Sequence, residues 1–213
     1  MKTLTFVQAL QVKKGITAII GSGGKTSLML ALARELSTAN YSVILCTSTR
    51  IYPPEGIPFT EEIREKNSGI LCVGTPAENG KIATPSQDFL ELLPFADYIL
   101  VEADGSKHLP LKAHEPYEPV IPRGCERVIT VVGASGLGKA VEEAVHRPHI
   151  FTALTGFCTA TPEAVSHALE KEDLGDCIFI NQADLAPGLA MELNAMVSKP
   201  CCVGSVLKGE IIC

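Results

Sequence analysis

Residues 16–27 read ITAIIGSGGKTS and are followed by the apolar run LMLALA, so that a buried strand passes through a glycine-rich turn into a helix. Glycines without a Cβ atom let successive backbone N–H groups curl around a phosphate, and the positive end of the following helix favours that anion. A lysine after the glycines reaches the outer phosphates, and the next hydroxyl binds magnesium. The residues that we expect to bind the phosphates are therefore Gly21, Ser22, Gly23, Gly24, Lys25, Thr26 and Ser27.

This phosphate loop is shorter than the usual one. The usual spacing places a glycine five residues before the Gly-Lys pair, and in this chain that position is Ile19. A second stretch, GASGLGKA at residues 133–140, has the full spacing, but Ala140 stands where the metal-binding hydroxyl belongs. We interpret the second stretch as a glycine-rich turn, with a second nucleotide site as the alternative.

Apolar strands alternate with helical segments along the chain, which is the order typical of an α/β fold. We predict a three-layer α/β/α phosphate-loop NTPase with a mainly parallel sheet, in a single domain over residues 1–213. An irregular loop insertion is expected at about 104–124, where prolines interrupt the pattern. Strands are predicted at 15–20, 42–47, 70–74, 127–133 and 201–206, and within 98–105 and 176–184. Helices are predicted after residue 24, at 61–66 and 86–93, before residue 148, from residue 161 and at 189–196.

The strand within residues 98–105 ends in two carboxylates, Glu102 and Asp104, followed by a glycine. This is the form expected of the metal-binding strand of a phosphate-loop enzyme. Residues two apart on a regular strand share a face, so both carboxylates can approach one site. We predict that Mg²⁺ binds to Thr26, Glu102 and Asp104, and that Lys25, Glu102 and Asp104 are the catalytic residues. A structural pair that caps the strand end is the alternative.

The buried strand within residues 176–184 ends in Asn-x-x-Asp, at Asn181 and Asp184. GTP-binding proteins read guanine with a similar segment, in which the carboxylate accepts from the ring N–H and the exocyclic amine. In this chain Gln182 replaces the lysine of that segment. We predict that Asn181 and Asp184 bind the base of GTP or ATP, and the alternative is an ordinary Asx-turn.

Three cations in or near the irregular segment are candidates for contacts with a second anionic substrate or with the γ-phosphate. They are Lys107, Lys112 and Arg147. Long loops without regular structure are usually functional lids or binding segments. Solvated surface charge is the alternative for the lysines, and compensation of a helix dipole is the alternative for Arg147.

Composition and charge exclude several classes of protein. The chain has 213 residues, 46% of them apolar and 20% charged, which fits one globular domain and not a disordered chain. A net charge of −6 argues against a general nucleic-acid binder, because such a protein carries a basic face. The N-terminus lacks the apolar core of a signal peptide, and no apolar run is long enough to span a membrane. We therefore expect a cytoplasmic protein with no membrane or nucleic-acid partner.

Several motifs taken together resemble those of the YqeC family. They are GSGGKTS at 21–27, VEADGS at 101–106, PLK at 110–112 with EPVIP at 118–122, and VHRP at 145–148. The resemblance extends over nearly the whole chain. It implies an accessory factor of selenium-dependent molybdenum hydroxylases that uses a nucleoside triphosphate to mature or load the cofactor site. The implied partner is a molybdenum hydroxylase or a cofactor-maturation protein.

Two other functions are compatible with the same motifs. The compact Gly-x-x-Gly-Lys-Thr loop also resembles that of Mur-type ligases, so an ATP-dependent small-molecule kinase or ligase is one alternative. Such an enzyme would hold its acceptor near Lys107, Lys112 and Arg147. The other alternative is a non-catalytic scaffold that senses nucleotide without turning it over.

Overall fold

The computed structural model of this chain describes residues 4–212, and its main element is a large twisted β-sheet. Within that range, nine strands form the large sheet, three form a small antiparallel sheet and two form a short parallel pair. The strands are β1 (Gly15–Gly21), β2 (Val43–Thr47), β3 (Arg50–Ile51), β4 (Phe59–Thr60), β5 (Ile70–Val73), β6 (Thr75–Pro76), β7 (Ile82–Ala83), β8 (Tyr98–Glu102), β9 (Leu111–Lys112), β10 (Cys125–Gly133), β11 (Val145–His146), β12 (Cys177–Asn181), β13 (Cys201–Ser205) and β14 (Glu210–Ile211).

The order of strands in the large sheet is β14-β13-β12-β10-β1-β8-β2-β5-β4. Neighbouring strands run parallel except for β13 and β14, which are antiparallel. Strands β2, β8 and β12 are buried along their whole length, as expected where both faces of a parallel sheet are covered. The prediction of an α/β fold with a mainly parallel sheet is thus confirmed. The carboxyl ends of the central strands meet at one edge, where open parallel sheets bind their ligands.

Helices cover both faces of the sheet, although not evenly. The first two helices pack on one face through an apolar cluster that contains Leu32, Leu100 and Phe179. The last four pack on the opposite face, in a cluster with Phe151 and Ile180. The helices are α1 (Phe6–Ala9), α2 (Lys25–Thr38), α3 (Val141–Ala144), α4 (Pro148–Thr155), α5 (Pro162–Glu172) and α6 (Pro187–Met196).

The predicted helices at 61–66 and 86–93 are wrong, and this part of the second face is covered by irregular chain instead. The side chain of Gln87 hydrogen-bonds both the N–H and the C=O of Ile63, at 2.9 and 3.1 Å, so these backbone groups do not enter a helix. Asp88 accepts from the N–H of Leu90 at 2.9 Å, and the turns that follow lead into a 3₁₀ helix at Leu93–Phe95. Such local side-chain bonds compete with helical ones. The apolar positions of both segments are nevertheless used, because Ile63 and Leu92 are buried against the sheet.

The motif at 145–148 also differs from its prediction as the end of a helix. The helix α3 has only four residues, and the next two, β11, pair in parallel with β9. Arg147 then adopts a left-handed conformation with φ of 67° and precedes α4, whose first residue is Pro148. Proline is favoured at the first helical position because it has no N–H to leave unpaired. Arg147 therefore lies at the start of a helix, and it does not compensate a C-terminal dipole.

None of the helices in the described part of the chain combines the length and the apolar character that a membrane span requires.

Candidate functional site

The glycine-rich turn joins the end of β1 to the start of α2 at the carboxyl edge of the sheet. Gly24 caps α2 with a φ of 114°, a conformation open to glycine and costly for other residues. The first helical hydrogen bond runs from Leu28 N–H to Gly24 C=O, at 2.9 Å. The N–H groups of Lys25, Thr26 and Ser27 precede that bond and have no partner within the helix. The turn therefore has the free donors that an anion requires.

The turn is held against the second glycine-rich segment. A Cβ atom on Gly23 would lie 2.3 Å from the Cα atom of Gly133, so only glycine allows the two backbones to approach this closely. Asn181 braces the same turn from β12, donating from Nδ2 to Gly23 C=O at 2.8 Å and accepting at Oδ1 from Val206 N–H at 3.0 Å. The glycine-rich segment that begins at Gly133 thus supports the turn at residues 21–27. This agrees with the interpretation of the segment at 133–140 as a turn.

Lys25 lies at the centre of the site and is almost completely buried, with 3% of its side chain exposed. Its ammonium group donates to Gly21 C=O at 2.8 Å and to Ser106 Oγ at 3.1 Å. It also lies 3.1 Å from Asp104 Oδ1 and 3.9 Å from Glu102 Oε1. The structure therefore brings the three residues predicted to be catalytic into one cluster.

Thr26 and Glu102 form a pair of oxygen donors, with the Thr26 hydroxyl donating to Glu102 Oε2 at 2.6 Å. Burial raises the pKa of the Glu102 carboxyl, and the charge of Lys25 and the Thr26 hydrogen bond only partly offset this effect. Mg²⁺ commonly takes one or two protein oxygens and completes its shell with phosphates and water. Among residues 4–212 no group of three His, Cys, Asp or Glu residues could hold a metal, but this oxygen pair fits a magnesium ion that is shared with a triphosphate.

Asp104 is completely buried and binds several donors at once. Its Oδ2 atom accepts from Gly21 N–H at 2.8 Å and lies 2.9 Å from His114 Nε2 and 3.3 Å from Lys112 Nζ. Burial by itself raises the pKa of Asp104, but the hydrogen bond from His114 and the charges of Lys25 and Lys112 lower it to about 2. Asp104 is therefore ionised, and it fixes the start of the phosphate loop.

His114 extends this network to the end of α5. Its backbone N–H donates to Glu172 Oε1 at 2.6 Å, and its Nδ1 atom lies 2.8 Å from Glu172 Oε2. Burial lowers the pKa of His114, yet the hydrogen bonds with Asp104 and Glu172 raise it above its ordinary value. Because both ring nitrogens face carboxylates, the imidazolium form suits this position. Glu172 is the one member of the network that lies far from the predicted motifs.

Two of the predicted substrate contacts are engaged within the protein. Lys112 Nζ lies 2.8 Å from Glu118 Oε2 and donates to the C=O of Gly105 at 2.7 Å. Arg147 forms a two-pronged ion pair with the same Glu118 carboxylate, and its guanidinium lies 5.7 Å from the ring centroid of Tyr117. These contacts fold the irregular segment over the carboxyl edge of the sheet.

A cavity of about 680 Å³ opens above the phosphate loop. Its floor is formed by residues 23–27 and its walls by several elements around them. Lys107 lines it and is exposed, whereas Lys112 and Arg147 lie outside it. The residues of the walls are Arg50, Ile51, Tyr52, Lys81, Glu102, Gly105, Ser106, Lys107, His108, Leu109, Glu118, His146 and Gln182.

Neither of the two residues predicted to read the base lines this cavity. Asn181 is buried, and its side chain donates to the C=O of Gly23 in the glycine-rich turn. Asp184 is exposed and does not line the cavity. Gln182 does line it, with its Oε1 atom accepting from the hydroxyl of Ser135 at 2.6 Å. The segment after β12 thus reaches the cavity through Gln182.

Sequence reasoning missed several residues of the site. Ser106 directly follows the predicted metal strand and belongs to the VEADGS motif, and these were the two signals that could have indicated it. Arg50, Tyr52 and Lys81 form a wall that no local motif indicates, because these residues lie in or next to two short strands, β3 and β7, that pair only in the folded chain. The partnership of His114 with Glu172 joins positions 58 residues apart and likewise leaves no local pattern.

Comparison with known proteins gives two matches. The family model described as YqeC protein matches residues 17–149. A relative named Uncharacterized protein YqeC, from Escherichia coli (strain K12), is 34% identical over 194 residues, which covers 82% of this chain and 73% of the relative. No solved structure is significantly similar. The matched range contains the glycine-rich turn at residues 21–27, the Glu102–Asp104 strand end and the irregular segment.

Proposed function

Because this chain belongs to the YqeC family, we propose that it is a nucleoside-triphosphate-binding accessory protein with Mg²⁺-dependent hydrolytic activity. The client that we propose is a selenium-dependent molybdenum hydroxylase, or a protein that matures its cofactor. The proposal for the client rests on the motifs that resemble the family. The proposal for the nucleotide rests on the site itself.

One observation carries the nucleotide proposal. Lys25 and Thr26, on the floor of an open cavity, meet Glu102 of its wall at the N-terminus of α2, where the first N–H groups have no partner within the helix. A cation, a hydroxyl and a carboxylate in this order around a helix N-terminus provide what a magnesium triphosphate needs. If the glycine-rich turn had only a structural role, nothing would require Thr26 and Glu102 to line an open cavity.

Each residue then has a defined role. The N–H groups of residues 23–27 bind the phosphates, and the ammonium group of Lys25 neutralises their outer oxygens. Thr26 and Glu102 hold Mg²⁺, which offsets charge on the β- and γ-phosphates when it is bound. Asp104, which binds Lys25 and the N–H of Gly21, positions both for this task.

The irregular segment is the element through which hydrolysis would act on a client. Ser106 hydrogen-bonds Lys25, and Lys107 lines the cavity beside it, so both respond to the state of the phosphates. In switch proteins, loss of γ-phosphate contacts releases such segments. We propose that residues 104–124 order around the triphosphate and change their affinity for the client after hydrolysis.

Product analysis tests this function. Purified protein is incubated with Mg-GTP or Mg-ATP, and released phosphate is measured beside the same reaction with Lys25→Ala. The matched control is Lys139→Ala, which removes the lysine of the second glycine-rich turn. Slow phosphate release that needs Lys25 and not Lys139 supports the proposal. Binding without turnover, even with the client present, supports a scaffold and overturns the hydrolase.

A kinase or ligase is the second candidate, and one observation favours it. The cavity is larger than the phosphate loop alone requires, and cations line its far wall. Such an enzyme would release little phosphate until an acceptor is supplied, so acceptor-dependent turnover would replace the hydrolase with this candidate.

A further inference from the structure

Three residues form a wall of the cavity that the nucleotide roles do not use. We define the cationic wall as Arg50, Tyr52 and Lys81. Arg50 lies in β3, which pairs antiparallel with β7, and Lys81 directly precedes β7. The neighbouring Ile51 and Ile82 are buried in the same apolar cluster as α2, so the wall is fixed relative to the helix that begins at Lys25.

The charges of this wall are not balanced by nearby carboxylates of the described residues. Within residues 4–212, neither Arg50 nor Lys81 has a carboxylate at ion-pair distance. The Lys81 ammonium group lies 5.1 Å from the ring centroid of Tyr52, a residue that is 56% exposed. In a chain of net charge −6, unpaired cations that line a concave site favour an anionic ligand.

The position of the wall separates it from the proposed nucleotide base. In the sheet order, β12 lies two strands from β1 on one side, and β2 lies two strands from β1 on the other. Gln182 follows β12 and Arg50 follows β2, so they face the phosphate loop from opposite sides. If the proposed nucleotide has its base near Gln182 and its terminal phosphate near Glu102, the strand order places the cationic wall beyond that phosphate.

We propose that the cationic wall is the subsite for a second ligand, a small organic anion that carries a phosphate or carboxylate group on a flat unsaturated portion. This inference rests on the proposed function, because it places the ligand beside the terminal phosphate of a bound nucleotide. The guanidinium of Arg50 can bind the anionic group in a two-pronged manner, and Lys81 adds a point charge. The exposed ring of Tyr52 offers a face for stacking.

The test is a calorimetric titration with three probes, which are phenyl phosphate, inorganic phosphate and benzoate. The protein is first saturated with Mg²⁺ and a GTP analogue that has an imido group between the β- and γ-phosphates. Wild-type protein should bind phenyl phosphate with a dissociation constant on the order of 1 mM or lower. The double variant Arg50→Gln/Lys81→Gln should weaken this binding about tenfold or more. Tyr52→Leu should weaken binding of phenyl phosphate and leave that of inorganic phosphate unchanged.

The matched control is Arg123→Gln/Lys139→Gln, which removes two exposed cations that do not line the cavity. It should bind every probe as the wild type does. Whichever of phenyl phosphate and benzoate binds more tightly to the wild type shows whether the subsite prefers a phosphate or a carboxylate group. Either preference supports the subsite. Equal binding of the probes to the wild type and the wall variant overturns the subsite, as does the absence of binding by all three probes.

Affinity for the analogue separates this inference from the proposed function. If the wall variant binds the analogue about tenfold more weakly than the wild type does, the wall binds the nucleotide itself and the inference is wrong. If wild-type protein does not bind the analogue at all, the proposed function fails. In that case the same comparison of the wild type with the wall variant, made without nucleotide, still decides whether the wall binds an anion.

Discussion

The carboxylate of Asp104 accepts a hydrogen bond from the backbone N–H of Gly21 at 2.8 Å, which joins the chain after β8 to the first residue of the phosphate loop. The same oxygen binds His114 and lies close to Lys112. Asp104 is thus the point at which the sheet, the loop and the irregular segment meet. We propose that Asp104 positions Lys25, and that the neighbouring Glu102, which lines the cavity, binds the metal.

The change Asp104→Asn should lower the free energy of unfolding by about 3–5 kcal/mol, because it leaves the buried cations Lys25 and Lys112 without their shared carboxylate. Urea denaturation measures the effect. The control is Asp184→Asn at an exposed position, which should change stability by less than about 0.5 kcal/mol. A loss below about 1 kcal/mol at Asp104 would contradict the network described for it.

The stability of the protein should depend on pH through His114. The pKa of His114 is raised in the fold, so its stabilising effect is complete below its ordinary value of 6.5 and is lost as pH rises through the folded pKa. Urea denaturation between about pH 6 and pH 9 should therefore show the wild type losing stability relative to His114→Gln. The exposed His149→Gln variant is the control and should follow the wild type. Parallel curves for wild type and His114→Gln would refute the pairing of His114 with two carboxylates.

The approach of the two glycine-rich turns predicts the effect of Gly23→Ala. The added methyl group would meet Gly133 and the C=O of Pro110, and φ is +88°, so we expect a loss of about 1–3 kcal/mol in stability and no nucleotide affinity. Gly188→Ala is the matched control, because its Cβ meets no atom within 4 Å and it lies in α6. There the change should be neutral or stabilise by up to about 1 kcal/mol. Full nucleotide affinity in Gly23→Ala would rule out the proposed loop geometry.

The base-reading prediction at the end of β12 is tested by Asp184→Ala. If this carboxylate accepts from the N–H groups of guanine, the variant should lose affinity for GTP by about tenfold and keep its affinity for ATP. Calorimetry with both nucleotides measures the difference. Equal affinity of the wild type for GTP and ATP, unchanged in the variant, would remove the base-reading role from Asp184.

The sequence was sufficient to predict the central strands, because a buried parallel strand reads as an unbroken apolar run. It also predicted that Lys25, Glu102 and Asp104 would meet, since the ends of β1 and β8 are adjacent when these strands pair. In both cases the signal is local: a few consecutive residues decide the strand end and the turn that follows.

The parts that were predicted wrongly or missed depend on distant residues. The charged segment at 61–66 was predicted to be helical, yet the side chain of Gln87 hydrogen-bonds both backbone polar groups of Ile63, which therefore do not enter a helix. Lys112 and Arg147 were predicted to contact an anionic substrate, and the pairing of both with Glu118 from the irregular segment was missed. Ion pairs and side-chain caps of this kind form between elements that only the tertiary fold brings together, so no local pattern indicates them.

The central claim is that residues 21–27 bind a magnesium nucleotide through Lys25. The most direct measurement is a calorimetric titration of Mg-GTP and Mg-ATP into wild-type protein and Lys25→Ala, with Lys139→Ala as control and thermal denaturation to confirm that each variant is folded. We predict binding to the wild type and to Lys139→Ala that weakens at least about tenfold in Lys25→Ala, since a charge-assisted contact with phosphate is lost. Unchanged affinity in a folded Lys25→Ala protein, or no binding by the wild type, would contradict the account.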